Sequence, residues 1–95
     1  MKSIIQERKV CYFCSTPYSL AKHHIYFGNG RRKISEQNGF TVWLCNYHHN
    51  MSDKSVHFDK ALDLYIKREC QEKYESMGHS REEFIKLIGR NYLGD

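Results

Sequence analysis

Apolar and polar residues alternate from Phe40 to Leu44, so that Phe40, Val42 and Leu44 share one side of an extended chain and Thr41 and Trp43 the other. This pattern predicts a half-buried strand that begins at Gly39 and runs into a short helix from about Asn46. A weaker β signal lies upstream in Ala21-Lys22-His23-His24-Ile25-Tyr26-Phe27. Its second half reads as a short strand ended by Gly28-Asn29-Gly30, residues that tolerate positive φ. Arg31 to Asn38, between the two strands, reads as a polar loop. From Ser55 the period changes. Phe58, Leu62, Tyr65, Ile66, Cys70, Tyr74 and Met77 recur at three- and four-residue steps, the stripe of an amphipathic helix of about five turns that Gly78 ends. Ser80-Arg81-Glu82-Glu83 has the form of a capping box and opens a last helix carrying Phe84, Leu87 and Ile88. The expected class is α+β: a two-stranded antiparallel hairpin plus a short helix, followed by C-terminal helices.

At 95 residues the chain is expected to form a single domain, 1–95, with no room for a second core. A domain this small often draws on a metal or on disulfides. The net charge of +4 is compatible with a phosphate-bearing partner without demanding one. Its placement says more, because Arg31, Arg32 and Lys33 sit together in a segment flanked by glycines. The first ten residues are polar and charged apart from Ile4-Ile5, and carry no assigned chemistry. They lack the apolar centre of a secretory signal, and no apolar run approaches the ~20 residues that cross a bilayer. The expected location is therefore cytoplasmic, with no membrane partner.

The four cysteines and six histidines carry the chemistry. Cys11 and Cys14 form a C-x2-C knuckle, and Cys45 and His48 a C-x2-H pair. Without a secretory signal, the two spacings point to one tetrahedral Zn²⁺ with every position filled, a structural site, rather than to disulfides. Cys70 lies on the apolar stripe and is assigned to the core. His49 is left over, since adjacent residues at a helix start point about 100° apart and cannot easily serve one ion. A second constellation consists of His23, His24 and His49, with His57 as a further member. His23 and His24 point to opposite faces of a strand, so one can reach an ion beside His49 while the other turns toward a substrate. The competing accounts are surface histidines or a second structural metal site.

In the order C-x2-C, His-His-Ile, a loop with Gly and Arg, then Val-x-Leu-Cys-x2-His-His-Asn, the chain resembles the small HNH (ββα-metal) endonucleases whose finger is clamped by a zinc knuckle. The resemblance runs from Cys11 to about His57, and places a ββα core at about 9–57 with a helical extension at about 56–93. It implies that His24 is the general base and that His23 and His49 hold a catalytic divalent ion, Mn²⁺, Ni²⁺, Co²⁺ or Mg²⁺. Asp53, four residues beyond His49, and His57, eight beyond, are both candidates for a further ligand on one helical face; His57 is preferred in so histidine-rich a site. Cys11, Cys14, Cys45 and His48 match the knuckle. Phe40 stands roughly where the family has its middle Asn, with Asn38 nearest, and that role stays open. The implied activity is metal-assisted hydrolysis of DNA phosphodiester bonds, with Arg31, Arg32 and Lys33 on flanking phosphates of double-stranded DNA. Such proteins are common in phages and prophages, where the host cytoplasm would be the setting. The alternatives are a non-catalytic zinc module that binds nucleic acid or protein, and an inactive HNH-derived subunit of a phage assembly.

Overall fold

Strand β1 (Leu20–His24) pairs antiparallel with β2 (Thr41–Cys45), His23 opposite Val42 and His24 opposite Thr41. The computed structural model describes residues 2–50 and 55–94. Helix α1 (Arg31–Asn38) lies between the strands, and α2 (Asn46–His49) follows β2 directly. Helices α3 (Lys60–Ser76) and α4 (Arg81–Ile88) complete the α+β architecture. Among the described residues, no helix is long and apolar enough to cross a membrane.

The first strand sits earlier than its sequence pattern predicts. Pairing extends back to Leu20 opposite Cys45, and the ladder continues past His24 only as far as the Ile25 N–H, which donates to Phe40 O at 2.9 Å. At Tyr26 a side chain replaces the partner strand. The buried Ser35 hydroxyl accepts from Tyr26 N at 3.0 Å and donates to Tyr26 O at 2.7 Å, satisfying both backbone groups and ending the strand. Ser35 can do this because Arg31–Asn38 is a helix and not a loop. Its residues are polar, yet most are good helix formers, and it is bounded by Gly30 and Gly39, both in the left-handed region.

The long helix also starts later than its stripe suggests. Ser55–Phe58 form a turn, and the Asp59 carboxylate accepts from Ala61 N and Leu62 N to cap α3. Phe58 and Met77 thus fall outside the helix and are exposed, while Tyr65 lies on its flank. The capping box at Ser80 and Glu83 forms as expected, and Cys70 is fully buried.

Hairpin and helices share one core. Tyr26 meets Phe40 and Phe84 edge-on at 5.4 and 5.3 Å, and Phe40 meets Tyr74 at 5.4 Å. The N-terminal segment straps the outer side of β2: Ile4 N donates to Gly39 O, and the Gln6 side chain accepts from Trp43 N at 2.8 Å. This covers backbone groups that an open strand edge would expose.

Gly39 is where the strap, α1 and β2 meet. A Cβ there would collide with the Lys2 carbonyl and approach the Ile4 side chain, at a backbone φ of 74°. Gly39→Ala should therefore cost about 2 kcal/mol or more. Urea unfolding checks this, and a midpoint equal to wild type would show that the strap does not hold this position.

Candidate metal centres

The knuckle turn at Cys11–Cys14 is held by hydrogen bonds from Cys11 N to Thr16 O and from Ser15 N to Cys11 O, both 2.8 Å. It is tied to the hairpin where Tyr12 N donates to Trp43 O at 2.9 Å. This docking brings Cys11 and Cys14 to Cys45, at the end of β2, and to His48 on α2, with all four ligand atoms within 4.8 Å of one another. Cys14 Sγ is 3.7 Å from Cys45 Sγ, and His48 Nδ1 is 3.6 Å from Cys11 Sγ and 3.3 Å from Cys45 Sγ. A tetrahedron with metal–sulfur bonds of about 2.3 Å and metal–nitrogen bonds of about 2.0 Å has edges of about 3.5–3.8 Å. The three separations of 3.3–3.7 Å lie near these edges, and the four donors could hold a metal ion. All four cysteines are free, and Cys70 lies apart from the cluster.

The charge balance of the thiols agrees with that geometry. Burial opposes a Cys11 thiolate, but hydrogen bonds from the backbone at Cys45, Cys14 and Phe13 outweigh it and bring the thiol down to about 6. For Cys14 the Thr16 backbone favours the thiolate, yet burial and the adjoining Cys11 and Cys45 push its pKa up. Neighbouring thiols resist sharing several negative charges, and a cation at their centre relieves that repulsion.

The second cluster forms where β1 faces α2 and the turn before α3. Alternation along β1 points His23 inward, beside Val42, and His24 to the opposite face. His23, His49 and His57 bring one ring nitrogen each to within 4.8 Å of the others, with the Nε2 atoms of His49 and His57 at 3.4 Å. His49 and His57 belong to separate elements, α2 and the turn before α3, and not to one helical face as the sequence suggests. His23 is 2% exposed, and its Nε2 has no hydrogen-bond partner among the described residues. Burial, with His49 and His57 adding to it, pushes its pKa down to about 3, so the ring is neutral and its lone pair available. Burial likewise lowers His49, with His57 second. Imidazoles converging on one point, one of them with an orphaned buried nitrogen, suit a metal ion. Asp53, the alternative ligand, lies outside the described residues.

His24 opens into the same cleft, of about 330 Å³, as these three histidines. Its Nε2 is 2.9 Å from Glu36 Oε1, and Arg32 Nε donates toward its Nδ1 at 3.4 Å. Glu36 also accepts from Lys22 Nζ at 3.2 Å; the His24 bond first and the Lys22 bond second hold its carboxyl down at about 2. The basic triplet is divided. Arg31 Nε donates to Ile88 O at the end of α4 and docks α1 there, Arg32 faces His24, and Lys33 is exposed. Of the candidates for the middle Asn, Phe40 is fully buried and Asn38 donates within α1 to Ile34 O.

Sequence reasoning missed Ser35 and Glu36 because the segment was read as a loop. Read as a helix, Arg32 and Glu36 are i,i+4 neighbours on one face, and both meet His24. No family model matches the chain, and no curated protein or solved structure was found to match it.

If the four-donor cluster holds an ion, metal binding and folding are one process. Purified protein should carry one tightly bound ion there, and Cys11→Ser and Cys45→Ser should each abolish folding. Circular dichroism and melting of the chelated protein check this. Retained cooperative melting after complete metal removal would break the link.

Proposed function

We propose that the chain is a metal-dependent HNH-type endonuclease that hydrolyses DNA phosphodiester bonds, its ββα-metal finger braced by zinc. The observation that carries the reading is the shared cleft: His24 faces the same hollow in which His23, His49 and His57 converge. A purely structural zinc module accounts for the cysteine cluster and leaves the three converging imidazoles and His24 without a role. Three thiolates and an imidazole suit Zn²⁺ with no open position, so that ion braces the fold. A divalent ion held by His23, His49 and His57 would supply positive charge to a phosphoryl oxygen and to the departing 3′ oxygen.

The rest falls to the side chains. His24 accepts a proton from water, the water oxygen bonds to phosphorus in line, and the bond to the 3′ oxygen breaks. The departing 3′ oxygen takes up a proton from solvent, and His24 returns its proton to solvent at the end of the cycle. Arg32 and Lys33, in the first turn of α1, contact phosphates flanking the scissile one and position double-stranded DNA without reading its sequence. Arg31, committed to the end of α4, is dropped from that role.

The deciding experiment is cleavage of plasmid DNA by the zinc-loaded protein with single divalent ions added. His24→Ala should keep zinc content and DNA binding while cleavage falls about 10²–10⁴-fold. A variant that cuts at the wild-type rate would remove His24 from the chemistry, and an inert wild type with every ion would sink the nuclease reading.

Ligand type predicts which ion works. Imidazole nitrogen favours borderline transition ions, whereas Mg²⁺ prefers oxygen donors and keeps its water. Mn²⁺, Co²⁺ or Ni²⁺ should therefore support cleavage at lower concentration than Mg²⁺. His57→Ala should raise the Mn²⁺ concentration needed for half-maximal rate. Strong Mg²⁺ activity that is indifferent to His57 and lost with Asp53 would assign the third ligand to the carboxylate.

A further inference from the structure

His24 is held on both sides of its ring by groups of opposite hydrogen-bonding character. Beside Nε2 stands a carboxylate, Glu36 Oε1 at 2.9 Å, which when ionised can only accept. Beside Nδ1 stands a guanidinium, Arg32 Nε at 3.4 Å, which can only donate. The two partners agree on one tautomer, with the proton on Nε2 and the lone pair on Nδ1. They also agree on direction. Arg32 lines the cleft that holds His23, His49 and His57, and Glu36 stands outside its lining.

We infer that Glu36 is the positioning residue of His24: its carboxylate holds the imidazole as the Nε2–H tautomer and presents the Nδ1 lone pair to the cleft. The inference rests on the nuclease reading only for its kinetic consequence. Glu36 is placed for this by α1, which reaches across to β1, and Lys22 two residues before His24 grips the same carboxylate through both oxygens at 3.3 and 3.2 Å. Lys22 and His24 lie on the same face of β1, so one carboxylate spans two side chains of that face. Glu36 thereby fixes the rotation of the ring and the nitrogen it offers, without itself lining the cleft. An exposed Lys–Glu pair alone would contribute little; what sets Glu36 apart is the third partner, half-buried at the mouth of the cleft.

The test uses the full zinc-loaded chain with ¹⁵N-labelled histidine, the His24 signals being assigned by their loss in His24→Ala. Wild type should show a hydrogen-bonded His24 Nε2–H proton protected from solvent. Glu36→Ala should lose that resonance, and Glu36→Gln, which keeps an accepting oxygen, should restore it in part. In cleavage assays Glu36→Ala should lower kcat about 10–100-fold with KM within about twofold, Glu36→Gln should fall between it and wild type, and Glu36→Ala should cost nothing further when His24 is already Ala. A resonance that persists in Glu36→Ala, or an equal loss of rate with and without His24, overturns the inference. Should the wild type fail to cut DNA with every ion tried, the nuclease reading falls. The resonance needs no cleavage and still supports or overturns the pairing of Glu36 with His24.

Discussion

Side chains alternate faces along a strand, so the pairing of His23 with Val42 decides which of two adjacent histidines meets His49 and which meets Glu36. A slip of one residue would exchange them, placing the ring with the free lone pair against α1 and the carboxylate-bound ring against α2. Register in a two-stranded hairpin is weakly fixed unless one face is buried. Here it is fixed from three sides. Leu44 and Val42 sink into the core, Ser35 stops the ladder at Tyr26, and the Cys45–His48 turn ties the far end of β2 to the knuckle. Each of these constraints would be violated by the slipped pairing. The chemistry of the cleft is therefore a property of the register before it is a property of the histidines.

Tyr26 and Phe40 adjoin the His24–Thr41 end of the hairpin, and the knuckle adjoins Cys45 at the other end. Tyr26, Phe40, Tyr74 and Phe84 stack edge to face between the hairpin and the C-terminal helices, while α2 is four residues long and contributes no buried side chain. A helix that short has no stability of its own. What holds it is His48 within the cysteine cluster and Phe13 against the His48 ring, 5.3 Å between centroids. Since His49 is the next residue, the four-donor cluster also sets where His49 meets His23 and His57, without sharing an atom with them.

The alternating run from Phe40 to Leu44, the capping box at Ser80 and the knuckle spacings were all legible because each is a local pattern with one physical cause. The partition of the histidines followed from strand and helix periodicity. What the sequence hid depended on polarity without periodicity. Arg31–Asn38 is almost wholly polar, with Ser35 its one buried residue, so no apolar stripe marks the helix, and Ser35 and Glu36 stayed out of view with it. Arg31 illustrates the same limit. In sequence it belongs to a basic triplet, but its bond to Ile88 O joins residues far apart in the chain, and such pairings leave no local signature. The stripe through Phe58 and Met77 erred in the opposite direction, since apolar spacing continues past both ends of α3 while Asp59 and Gly78 end the helix itself.

His23 weighs against ordinary packing as the account of the second cluster. A buried nitrogen left without a partner costs about 1–3 kcal/mol, and an apolar residue of similar size beside Val42 would avoid that cost. Imidazoles also gain nothing by crowding one another, because protonating any of them repels the rest, and the lowered pKa of His23 and His49 records that pressure together with burial. The arrangement is unfavourable for a core and favourable for a ligand set, since a nitrogen that stays unprotonated near neutrality has no proton to lose before it binds. His24 has the opposite surroundings. It is half-buried, bonded at one nitrogen to a carboxylate and faced at the other by a cation, so its ring is oriented while the cleft stays open beside it. Two adjacent residues of one strand thus have opposite surroundings, one buried among imidazoles and one held between a carboxylate and a cation, and the alternation of the strand is what keeps them apart.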